Sequence, residues 1–191
     1  MRPSKRDQII DSALSAFMAE GYQAMGMDAL AVRCCVSKTT FYNHFSSKEA
    51  LIVAALERRD QDFRAWFAAR LEALRPDPER RLFAVFDVLA EWFRSDDFSG
   101  CAFIKAAAEH QAPGDQVRAL AAAHKQALRA DLEALALAAD AAEPQGLATK
   151  LALLIDGATV AAQLDLEPDP AAEARAIAET LIQAAISGNV A

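Results

Sequence analysis

Apolar residues recur every three to four positions along most of this chain, and the breaks in that rhythm mark where helices start and stop. The first run, Ile9, Ile10, Ala13, Leu14, Phe17 and Met18, leaves Lys5, Arg6, Asp7, Asp11 and Glu20 for water. Ser4 reads as its N-cap and Gly21 as its C-terminal stop, which predicts a helix ending near Glu20. A two-turn helix from Met27 to Cys34 follows, with Met27, Leu30 and Ala31 inward. A third, capped by Ser37, ends near Phe45. The segment "SSKEALIVAALERR", with Ser46 or Ser47 as cap and Glu49 in the first turn, opens a long helix over 48–74.

The two prolines of "RPDPER", Arg75 to Arg80, interrupt the pattern and mark a boundary. Beyond it the spacing predicts helices over about 79–94, 101–110, 115–139, 144–163 and 170–187. Asp115 and Asp169 are suited to capping, and Pro144 to a first helical turn. The expectation is an all-α chain of nine helices. The short helices of 1–47 form a three-helix domain whose middle pair has the size of a helix-turn-helix. The long helix 48–74 links it to the remainder, and 48–191 is the second functional region.

Composition agrees with an all-helical reading: 53% of residues are apolar and only 7 are Gly, with Ala, Leu, Glu and Arg filling most windows. The longest apolar candidate, Leu151 to Leu164, is too short for a bilayer and carries Asp156, so no membrane partner is expected. The first ten residues have no apolar core of a secretion signal, and three cysteines, two of them adjacent, make a poor disulfide framework. Both point to the cytoplasm. Formal net charge is −7, but it is unevenly placed. Residues 1–48 hold six Lys/Arg against four Asp/Glu, and the rest holds fourteen against twenty-three. A polyanion would be met by the first quarter of the chain.

That quarter contains "SKTTFYNHF", Ser37 to Phe45, built from branched and aromatic residues that are mediocre helix formers. Phe41 and Phe45 are four apart and share one face, turned toward Leu14 and Phe17. Thr39, Thr40 and Asn43 point roughly the other way, with Lys38, Tyr42 and His44 on the flanks. Short donors and acceptors on an outer face can reach base edges and phosphate oxygens in a major groove. Ser37 and Lys48, at two helix starts, are placed to meet phosphate. The plainer alternative is an ordinary solvated surface.

The order of residues in "GYQAMGMDALAVRCCVSKTTFYNHFSSKEAL", Gly21 to Leu51, resembles the DNA-binding domain of the TetR family of transcriptional regulators. Gly21, Tyr22, Ala31, Val36, Ser37, Lys38, Phe41, Tyr42, His44, Phe45, Lys48, Glu49 and Leu51 carry the likeness. The resemblance implies a positioning helix over Met27 to Cys34 and a recognition helix over Lys38 to Phe45. It implies groove-facing roles for Lys38, Thr39, Thr40, Tyr42 and Asn43, and phosphate contacts from Tyr42, His44 and Lys48. Three positions depart from the family pattern. Cys35 stands where the turn glycine is usual, so it either avoids positive φ or accepts strain. Met25-Gly26 replaces a hydroxyl cap pair, and Leu30 replaces isoleucine.

The resemblance further implies a dimer on a palindromic DNA operator, released by a small-molecule effector, and acting most often as a repressor. Small residues let helices approach closely, so Leu151, Leu154, Ile155, Ala158 and Ala162 on one helix, with Ile177, Leu181 and Ala184 on the next, are candidates for a homodimer interface. Packing inside the subunit is the competing role. Phe63, Trp66, Phe67, Phe86, Trp92 and Phe103, with His110, His124 and Asp156 as polar groups, are candidates for the effector pocket, against plain core packing.

Vicinal Cys34 and Cys35 do not have zinc-site spacing, and no metal or cofactor is expected. Cys34 and Cys35 read as small hydrophobes. Cys101 at a helix start, paired with His110 or His124, is the one enzymatic constellation available. It lacks an oxyanion loop or phosphate cradle, so the chain is read as a non-enzyme. The remaining alternative is a helical interaction module without DNA binding.

Overall fold

The computed structural model describes residues 4–75, 77 and 80–187. Pro76, Pro78 and Glu79, on which the expected boundary and the start of the fifth helix rest, lie outside the described residues. Those described form nine helices and no strands: α1 (Lys5–Glu20), α2 (Met27–Arg33), α3 (Lys38–His44), α4 (Lys48–Leu74), α5 (Arg81–Phe93), α6 (Ala102–Glu109), α7 (Gln116–Ala138), α8 (Pro144–Gln163) and α9 (Pro170–Ser187). The ends fall where the capping residues put them. Ser4 and Asp7 close a reciprocal capping box on α1. Ser47 accepts the Ala50 N–H at 3.0 Å, Asp115 accepts from Val117 and Arg118, and Asp169 accepts from Ala172. Pro144 stands in the first turn of α8.

The chain divides into two compact units, Met1–Asp62 with Cys101–His124, and Phe63–Gly100 with Lys125–Ala191. In the first unit the inner face of α1, Ile9, Ile10, Ala13, Ala16 and Phe17, is fully buried with Leu30, Ala31, Phe41, Phe45, Leu51, Ile52 and Leu56. Leu14 and Met27, expected inside, are half-buried at the margin of this core. In the second unit α5, α8 and α9 pack together around Leu82, Val85, Phe86, Leu89, Leu151, Ala178 and Ile182. Arg70 grips Glu91 through two bonds of 2.8 and 2.9 Å, and that hydrogen bonding holds the Glu91 carboxyl below its usual range.

Three helices end in the same device. After α2, Cys35 N–H donates to Val32 O and Val36 N–H to Ala31 O; after α7, Asp140 and Ala141 repeat this on Leu137 and Ala136; after α8, Asp165 and Leu166 repeat it on Ala162 and Ala161. Each is a Schellman closure, which needs a left-handed residue at its apex. Cys35, Asp140 and Asp165 have φ of 51°, 53° and 50°. Aspartate tolerates that region comparatively well, whereas cysteine has no such local compensation. Cys35 therefore takes the glycine's conformation without being glycine. Relieving the left-handed strain is worth about 1–2 kcal/mol, and the extra freedom of an unfolded glycine offsets about 0.5–1 kcal/mol of it. Cys35→Gly is expected to raise the urea unfolding midpoint by a net gain of about 0.5–1 kcal/mol. An unchanged or lower midpoint would show that cysteine sits there without strain.

Candidate nucleic-acid interface

The turn between α2 and α3 is the Schellman closure at Cys35 run directly into an N-cap at Ser37. The Ser37 hydroxyl accepts the Thr40 N–H at 3.1 Å and lies 2.9 Å from the Thr40 hydroxyl. Two caps separated by one residue leave the chain no slack, so the departure of α3 from α2 is set by backbone hydrogen bonds. Gly26, by contrast, begins α2 without any side-chain cap, as its lack of a hydroxyl requires.

Phe41 is fully buried and Phe45 nearly so, their rings 6.4 Å apart. Arg6 lies over the Phe45 ring at 5.3 Å. With these rings turned inward, the opposite face of α3 carries Lys38, Thr39, Tyr42, Asn43 and His44 into solvent, and the Tyr42 side chain is 49% exposed. Thr40 is half-buried. Lys38 Nζ bonds Asp28 at 2.7 Å, and that hydrogen bond raises its pKa further above an already cationic range. Lys48 is half-buried, with Nζ donating to the Gln23 carbonyl at 3.1 Å.

Sequence reasoning missed what holds the α1–α2 connection. Glu109, the last residue of α6, accepts the Tyr22 N–H at 3.0 Å and the Gln23 N–H at 2.7 Å. Tyr22 stacks on Phe17 and donates its hydroxyl to Ala102 O at 3.2 Å, and burial pushes that phenol well above its ordinary range, so the proton stays on. Gly21 has φ 93°, and a Cβ there would meet Glu109 Oε1 at 3.2 Å. No periodicity signals a contact between residues 87 apart.

The other predicted residues separate. In the second unit Phe63 stands 5.8 Å from Trp66, 5.8 Å from Phe67 and 4.9 Å from Trp92, with Phe93 and Phe98 against Trp92. Apart from Trp92, these rings are only half-buried. Phe86 lies in the core, and Asp156 pairs with Lys125 at 2.5 Å. In the first unit Phe103 stacks on His124 at 3.6 Å, and His124 bonds Asp60. His110 is occupied elsewhere, between Gln23 and Asp115. Cys101 is buried, as is Cys34, whose burial raises its thiol pKa, while Cys35 is exposed rather than packed, because the apex of its closure faces outward. Among the described residues no group of three potential metal ligands occurs, and no helix is long and apolar enough to cross a membrane.

Of the expected interface residues, Leu151 and Ala158 are buried inside the subunit. Leu154, Ile155, Ala162 and Leu181 are half-buried, and Ile177 and Ala184 exposed. Leu153 and Val160 on α8, and Leu164 at its C-cap, are large apolar residues exposed on the subunit. An Ala- and Leu-rich helix such as α8 has apolar residues on more than one face.

A capped, aromatic-anchored helix presenting short polar side chains after a tight turn defines a helix-turn-helix protein. Residues 9–55 match the model of the bacterial regulatory proteins of the tetR family, and residues 78–178 that of the tetracyclin repressor-like C-terminal domain. The chain belongs to the TetR family of transcriptional regulators. It is 46% identical over 57 residues to the HTH-type transcriptional activator FasR of Mycolicibacterium smegmatis, covering 30% of this chain and 26% of that one. It is 29% identical over 100 residues to the HTH-type transcriptional repressor DhaR of Mycobacterium sp., or 52% and 49% of the two chains. A crystal structure of a TetR-family regulator from Streptomyces coelicolor superposes with TM-score 0.86 at 28% identity, covering 95% of this chain and 96% of that one. The chain thus matches half or less of each of the two curated relatives.

The Ser37 cap can be tested apart from any DNA contact. Ser37→Ala is expected to cost about 1 kcal/mol in denaturant unfolding, and a loss below a few tenths would mean the cap is not formed.

Proposed function

We propose that this protein is a dimeric, cytoplasmic repressor that places α3 of each subunit in successive major grooves of a palindromic operator. The observation that carries this reading is the outer face of α3, where Lys38, Thr39, Tyr42, Asn43 and His44 are exposed on a helix whose other face is locked by Phe41 and Phe45. Ser37, Thr40 and Lys48 complete the DNA-contacting set. The two recognition helices would sit about one helical turn apart, ~34 Å. Repression is favoured over activation because the relative matched over the longer stretch is named a repressor.

Functionally, 1–47 is the DNA-binding part and 48–191 the effector and dimer part. For the dimer, the support is the exposure of large apolar residues on one face of α8, Leu153 and Val160 with Leu164 at its C-cap, together with exposed Ile177 and Ala184 on α9. Of the predicted set, Leu154 on α8 and Leu181 on α9 are half-buried and remain candidates for the same interface, while Ile155 and Ala162 share the side of α8 that carries Leu151 and Ala158. For the effector, the half-buried aromatic rings around Phe63 suit a largely apolar or aromatic small molecule.

Two experiments bear on this. With a duplex enriched from a random-sequence pool on the wild-type protein, Tyr42→Ala is expected to weaken binding by about 1–3 kcal/mol while the dimer persists; unchanged affinity would remove α3 from the interface. Val160→Glu is expected to halve the mass seen in light scattering, and a protein that remains dimeric would exclude this face of α8.

A further inference from the structure

Gln23 is solvent-exposed, yet its polar groups are held on three sides. Its N–H donates to Glu109 Oε2 at 2.7 Å, its carbonyl accepts from Lys48 Nζ at 3.1 Å, and its side-chain amide nitrogen lies 3.2 Å from His110 Nε2. An amide nitrogen can only donate, so His110 Nε2 accepts, and Nδ1–H is left to donate to Asp115 Oδ2 at 3.0 Å. Lys105 adds a bond from Nζ to Met18 O at 3.1 Å, one turn before the loop. The connection between α1 and α2 is therefore suspended between an anion on α6 and a cation at the start of α4.

We infer that Glu109 is a positioning residue for DNA binding. By fixing the Gln23 main chain, its carboxylate fixes the carbonyl that holds the Lys48 ammonium, and so sets where that cation meets a backbone phosphate. An ammonium has three donors, so one bond to Gln23 leaves two for phosphate oxygens. A lysine on a flexible stem otherwise loses side-chain entropy when it binds. The carboxylate matters more than the shape of the side chain, because two adjacent N–H donors are satisfied by its two oxygens, whereas a glutamine would turn an N–H toward one of them.

This inference rests on the DNA-binding reading above, and salt dependence separates the two. The probe is the enriched duplex, and affinity is measured against salt concentration for wild type, Glu109→Ala, Lys48→Ala and the double variant. Lys48→Ala is expected to reduce the slope of log affinity against log salt by about 1, the loss of one phosphate contact. Glu109→Ala, which removes no positive charge, is expected to lower affinity about tenfold and to reduce the slope in the same way, with the double variant no weaker than Lys48→Ala alone. Glu109→Gln, which keeps the volume, should fall between, and it carries the test if the alanine variant does not fold. A wild-type slope in Glu109→Ala, losses that multiply in the double variant, or no effect of Lys48→Ala would each overturn the inference while leaving DNA binding intact. A wild-type protein that enriches no duplex would remove the DNA-binding reading and this one with it.

Discussion

A helix of seven residues has almost no stability of its own, because nucleation fixes several dihedrals before the first bond forms. α3 is such a helix, and Thr39, Thr40, Phe41, Tyr42 and Asn43 each give up a few tenths of a kcal/mol relative to better formers, or ~2–3 kcal/mol together. The burial of Phe41 and Phe45 contributes about 2–3 kcal/mol apiece, and the Ser37 cap about 1 kcal/mol. The anchors outweigh the deficit. The ordered outer face of α3 depends on that balance, since it is the two buried rings that hold the helix in place.

Stability comes mainly from the inner face and the ends, and on the outer face the structure gives a structural bond to Lys38, which pairs with Asp28 of α2. Thr39, Tyr42, Asn43 and His44 can be selected for what they touch. The same logic explains how cysteine survives at position 35. The Schellman bonds on either side of it, 3.0 and 3.1 Å long, hold a backbone conformation that the residue itself disfavours.

The second unit obtains its cohesion differently. α5, α8 and α9 pack together, and small residues such as Ala148, Ala174 and Ala178 are fully or nearly buried. Its ion pairs, Arg64 with Asp131, Arg70 with Glu91 and Arg175 with Asp87, lie at least partly in water and add little individually. Burial decides the packing, and the charges decide which helix surfaces stay outside.

The sequence by itself determined the helices and their ends, because caps, prolines and a 3.6-residue period are local signals: Ser4, Ser37, Asp115 and Pro144 each mark a start that the structure keeps. It also determined which face of α3 is inward, since Phe41 and Phe45 are the only large apolar residues on that helix with a shared face. The tertiary structure alone decided three things. It placed Cys35 in the left-handed region, which depends on closure against α2. It separated the outward face of α8, with Leu153 and Val160, from the inward one with Leu151 and Ala158, because an Ala- and Leu-rich helix carries no single apolar stripe. And it brought Glu109 to the Tyr22 and Gln23 amides, a meeting of residues 86 and 87 apart in the chain that no local pattern encodes, since it arises only when α6 folds against the connection between α1 and α2.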